Sequence, residues 1–150
     1  MRALLFASLV FVGCAAPSTP CGLERSGASW LTDDALQTAE RELLQRMPLT
    51  ADERLHERSV MCSKLAGVEV VARGSGAWSA GTVEGVEEVD GLANCKLKRV
   101  ELAFPPEGVW QFGALAHELV HVLTDCDGHA GWSARGINQQ LTNIYFTAVP

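Results

Sequence analysis

The sequence predicts an α+β domain in which two N-terminal helices precede a small, mostly antiparallel sheet, and one apolar helix packs onto that sheet. Three observations predict it: apolar residues at helical spacing between residues 33 and 65, clean alternation from Lys96 to Phe104, and an apolar helical stretch from about Val109 to Thr124. A chain of 150 residues can bury one core and is too short for two domains.

The N-terminus carries a targeting signal. Met1 and Arg2 form a minimal basic region, Ala3 to Val12 is uninterrupted apolar sequence, and Gly13-Cys14-Ala15-Ala16-Pro17 follows. The apolar run is too short to remain across a bilayer. Phe11-Val12-Gly13-Cys14 resembles the lipobox of bacterial lipoproteins, although Phe11 stands where that motif usually has Leu. The resemblance implies that residues 1–13 are a signal peptide, that Cys14 carries lipid, and that residues 14–28, rich in Pro, Ser and Gly, are a tether for a domain spanning 29–150. The protein is then exported to the periplasm or cell surface and anchored in a bacterial membrane, the outer membrane being the expected one. A conventional signal peptide cut after an Ala is the alternative.

A formal net charge of −6 gives no electrostatic footprint for a nucleic-acid partner. Of five cysteines, lipidation of Cys14 would leave Cys21, Cys62, Cys95 and Cys126, an even set expected to form two disulfides in an oxidising compartment. Four cysteines permit three pairings. None of the four has a partner at the short spacing of a cysteine zinc knuckle.

The first helix starts at Thr32 or Asp33, both good N-caps, and runs to about Met47 with Leu36, Leu43, Leu44 and Met47 on one face; Pro48 stops it. Thr50 and Glu53 form a capping box for a second helix that ends near Leu65, apolar at Leu55, Val60 and Met61. His56, among Glu53, Arg54, Glu57 and Arg58, reads as a solvated or core-edge histidine. After Gly67 strands are expected at Val68–Ala72, across Ala77–Val89 with Gly81, Gly85 and Gly91 as breaks, and at Lys96–Phe104; Pro105-Pro106 ends the sheet. The four tryptophans, Trp30, Trp78, Trp110 and Trp132, read as core or site-wall residues.

The last helix contains His117-Glu118-Leu119-Val120-His121. Residues four apart share a helix face, so both imidazoles reach one zinc while Glu118 points at the water that the metal acidifies and acts as general base. This is the HExxH motif and resembles the zincin metallopeptidases. A catalytic zinc needs a third protein ligand and an open position. Past His121 the candidates are Asp125, Asp127 and His129, and no Asp or Glu follows Asp127, which excludes a glutamate ligand on a later helix. Asp127 stands where metzincins place their third ligand, but Thr124 replaces their turn glycine and the last methionine is Met61, so their Met-turn has no counterpart.

His129 is the preferred ligand and Asp127 the alternative. Gly128 gives a corner before His129, and His129-Ala130-Gly131-Trp132 opens a helical stretch to about Leu141. Over residues 112–133 this resembles SprT-like zincins, in which a third His begins a helix and is followed by a small residue and a Trp. The resemblance implies a zincin-like α+β fold, a Zn2+ site of His117, His121 and His129, and Glu118 as catalytic base. Cys126 could staple the ligand loop, Trp132 reads as packing against the active-site helix, and Tyr145 or Arg135 could face a developing oxyanion.

The expected function is zinc-dependent hydrolysis of peptide bonds outside the cytoplasm on a peptide or protein substrate, with Lys96–Phe104 as the strand that aligns the substrate. The alternative is a non-catalytic lipoprotein holding a structural or scavenged zinc, which would have no use for Glu118 beside an open metal position.

Overall fold

The structure is a computed structural model, and it describes residues 19–46, 53–82, 85–104, 112–126, 128, 129, 132, 137 and 139–141. The signal segment, Cys14, Pro48, Thr50, Trp110, Asp127, Arg135 and Tyr145 lie outside those residues. The fold is α+β, with strands β1 (Glu24–Gly27), β2 (Glu69–Ala72), β3 (Trp78–Thr82), β4 (Gly85–Val89), β5 (Gly91–Asn94) and β6 (Arg99–Leu102), and helices α1 (Asp33–Arg46), α2 (Glu53–Leu65) and α3 (Phe112–Leu123).

Two helices before strands β2 to β6 and one after them match the sequence reading. Thr32 caps α1 through its hydroxyl, which accepts the Ala35 N–H at 3.2 Å, and Asp33 and Asp34 in the first turn complement the helix dipole. Leu36, Leu43 and Met61 are buried as expected, Leu65 is buried too, and Val60 turns out to solvent.

The expectation of a mostly antiparallel sheet needs correction. Strands β1, β2, β6 and β5 form one sheet in that order, and β1/β2 and β2/β6 are parallel; only β5/β6 is antiparallel. A separate antiparallel hairpin, β3/β4, stands beside it. Alternation in Lys96–Phe104 reported which face is buried, with Val100 and Leu102 inside, but side-chain period is blind to strand direction. Leu97 and Phe104, the other apolar residues of that stretch, fall outside β6 and are exposed.

β1 was also not anticipated. It lies within residues 14–28, assigned to the tether because Glu24-Arg25-Ser26-Gly27 shows no apolar alternation. This edge strand is held instead by its flanks. Cys21 is disulfide-bonded to Cys62 on α2, and the buried Glu40 carboxylate accepts the Cys21 N–H. Arg25 pairs with Asp33 at 2.7 Å, and Leu23 is fully buried. At Gly27, with φ +86°, a Cβ would collide with the Ala72 carbonyl, so the approach of β1 to β2 requires glycine there.

The core lies between the sheet and the three helices. Leu115, Ala116, Leu119 and Val120 of α3 pack with Leu36 and Leu43 of α1, Leu65 of α2, and Val70 and Val100 of the sheet. The outer face of β2 and β6 carries an ion-pair ladder, Arg73–Glu101–Arg99–Glu69. None of the helices among the described residues is long and apolar enough to cross a membrane.

Candidate metal centre

Burial of one face of α3 dictates what the other face presents. With Leu115, Leu119, Val122 and Leu123 turned to the core, Gly113, Ala114, His117, Glu118 and His121 line a cleft of about 630 Å³. The opposite wall is β5, with Gly91, Leu92 and Ala93, and the hairpin adds Gly81, Glu87 and Val89.

The chain after α3 must double back to bring a third imidazole to that face. A Schellman-type cap achieves this: Cys126 N–H donates to the His121 carbonyl at 2.8 Å, Asp125 N–H to the Val122 carbonyl at 3.2 Å, and Asp125 has φ +57°. Cys126 also has a positive φ, an unfavourable conformation for a residue with a Cβ. Two clamps hold the loop in place. The Cys95–Cys126 disulfide ties it to the β5–β6 turn, and Lys64 of α2 reaches both the Leu123 carbonyl and the Asp125 carboxylate at 2.8 Å. Both disulfides expected from the cysteine count are formed, as in proteins of oxidising compartments.

His129 emerges from this loop onto His117 and His121. The His117 Nε2 atom lies 3.2 Å from His121 Nε2 and 3.0 Å from His129 Nε2. A tetrahedral zinc with Zn–N bonds of about 2.0–2.1 Å has N–N edges of about 3.3 Å, so this spacing suits one small cation shared by three imidazoles. Unprotonated nitrogens turned toward one point repel, and a cation between them relieves that repulsion. The three histidines can therefore bind a metal ion.

Trp132 lies against all three rings, with centroids 5.0, 4.7 and 4.8 Å from those of His117, His121 and His129. It is 1% exposed and does not line the cleft, so it packs behind the triad. Its Nε1 has no hydrogen-bond partner among the described residues. Among the described residues His129 and Trp132 sit in turns and Ile137 and 139–141 are helical, so His129 does not itself open a helix as the sequence suggested.

Glu118 is 8% exposed. Burial raises its carboxyl to about 7, against which the Ala93 backbone hydrogen bond acts. Burial lowers the two helix-borne imidazoles, His129 adding to the effect on His117; His121, with His117 and His129 as further causes, falls to about 4. The arrangement thus favours neutral imidazoles, the form that binds metal, and a carboxyl poised near neutrality for proton transfer.

Sequence reasoning brought His117, Glu118, His121 and His129 together, and the structure does the same. It missed β5 entirely, and with it Gly91 and Ala93, the residues against which Glu118 rests. The expected substrate strand, Lys96–Phe104, needs correction too: β6 is enclosed between β2 and β5, and β5 is the edge strand that lines the cleft. A four-residue strand reading Gly-Leu-Ala-Asn offers no periodic signal, so only Gly91, taken as a break, marked the place. No protein-family model, curated protein or solved structure matches the chain.

Proposed function

We propose that this chain is a zinc-dependent peptidase with a zincin-like fold, acting outside the cytoplasm. The observation that carries the reading is the pairing of a three-imidazole cluster with a buried carboxylate, Glu118, on the same cleft wall. A structural metal site has no need of such a base, and it closes its fourth position, whereas these histidines border an open cleft.

His117, His121 and His129 would hold the zinc, with Asp127 as the alternative third ligand. When bound, the ion supplies Lewis acidity, lowering the pKa of water and polarising a carbonyl. Glu118 takes a proton from the attacking water and returns it to the leaving amine, a double duty suited to a carboxyl near 7. Ala93 orients that carboxylate through its main chain, and Trp132 fixes the ligand rings from behind. A substrate peptide would lie extended along the edge strand β5, antiparallel to it, adding main-chain hydrogen bonds. The N-terminal sequence supports a lipid anchor at Cys14, so the substrate would be an exported peptide or protein near a membrane.

The test is turnover of internally quenched peptide libraries by zinc-loaded protein, with Glu118→Gln as control. Cleavage by the wild type that the variant loses is the expected result. Zinc binding without cleavage of any library would move a structural or scavenged metal ahead.

A further inference from the structure

We infer that the cleft selects a peptide with a Lys or Arg on the C-terminal side of the scissile bond, held by Glu87 and Asp90. This rests on the peptidase reading above and names the substrate class of the same site.

Apart from the ligands and Glu118, the charged side chains lining the cleft among the described residues are Glu87 and Asp90, both acidic. Neither carboxylate has an ion pair or hydrogen bond among the described residues. Basic residues elsewhere on the sheet are engaged: Arg73 with Glu101 and over the Trp78 ring, and Arg99 with Glu69 and Glu101. The remaining walls are small or apolar, Gly81, Val89, Leu92, Gly113 and Ala114 among them, which leaves room for a long aliphatic stem ending in a cation.

The polarity follows from the strand. At its N-terminal end Gly91 abuts Glu118, and beyond its C-terminal end Cys95 is bonded to Cys126, just after α3. Asp90, directly before Gly91, therefore lies at the end of the cleft toward Gly113 and Ala114, and Glu87, three residues earlier on β4, lines the same cleft. The Ala93 backbone is already engaged by Glu118, so an added peptide pairs toward the Gly91 end. Running antiparallel to β5, it carries its C-terminal half to the two carboxylates. Glu88, next to Glu87 on β4, points to the other face and does not line the cleft.

The experiment compares quenched peptides identical except for Lys, Ala or Glu within three residues after the cleaved bond. Wild-type kcat/KM should favour Lys over Glu by about tenfold or more, and Glu87→Gln/Asp90→Asn should collapse that ratio while Glu88→Gln retains it. The ratio shrinks with salt if charge carries it. Binding of the same peptides to zinc-loaded Glu118→Gln protein, followed by fluorescence anisotropy, reads the preference without turnover. An unchanged ratio in the double variant, or equal binding of Lys and Glu peptides, overturns the inference. Absence of cleavage with Lys-selective binding intact would overturn the peptidase reading instead and leave the cationic preference standing.

Discussion

Gly91 and Glu118 are in contact across the cleft: a Cβ on residue 91 would lie 2.7 Å from Glu118 Cγ and 2.9 Å from its Oε1. The position of the base is therefore set by the absence of a side chain on the edge strand. Gly91→Ala should displace the carboxylate, whose atoms are the nearest to that Cβ, while leaving the three imidazoles to hold zinc. A loss of turnover of about a hundredfold with zinc content unchanged is the expected outcome, since an ångström of misplacement can cost that much. Peptidase assay and metal analysis of one preparation check it.

Metal binding and proton transfer should separate by mutation. His129→Ala removes one of three ligands and should lose most of the zinc, while Glu118→Gln should keep it and lose turnover. Zinc analysis after dialysis decides, and loss of metal by Asp127→Ala with His129→Ala unaffected would reassign the third ligand.

The Cys95–Cys126 disulfide holds a loop with two successive positive-φ residues, Asp125 and Cys126, three residues before His129. Replacing both cysteines by Ser should destabilise the domain by about 2–5 kcal/mol and weaken zinc binding, measured by thermal denaturation and zinc titration. Thiol titration of the denatured mature wild type without reductant should find Cys21, Cys62, Cys95 and Cys126 oxidised.

Zinc retention should tolerate mild acid. Burial lowers the pKa of both His117 and His121, the latter to about 4, so the neutral, metal-binding form persists below the pH at which a free imidazole protonates. The zinc should stay through about pH 5 and leave as the pH falls further, followed by equilibrium dialysis across pH. Half-loss near pH 6.5 would contradict the burial of these rings.

Helices and the three clustered histidines were legible in the sequence because each leaves a local mark. Thr32 and the Asp pair announce α1, the burial period of α3 fixes which face His117 and His121 share, and Gly128 before His129 marks the corner that returns the third imidazole. What escaped depends on contacts between distant segments. β1 is held by Cys62 and Glu40 rather than by its own pattern, and β5 by pairing with β6 and packing on α3. Strand direction escaped as well, because Val100 and Leu102 alternate in the same way in a parallel or an antiparallel pair.

X-ray absorption at the zinc edge of the metal-loaded protein tests the central claim most directly. Three imidazole nitrogens and one further light atom at about 2.0–2.1 Å are the expected shell of the wild type. A sulfur at about 2.3 Å, or a shell with only two imidazoles in the wild type, would contradict the account.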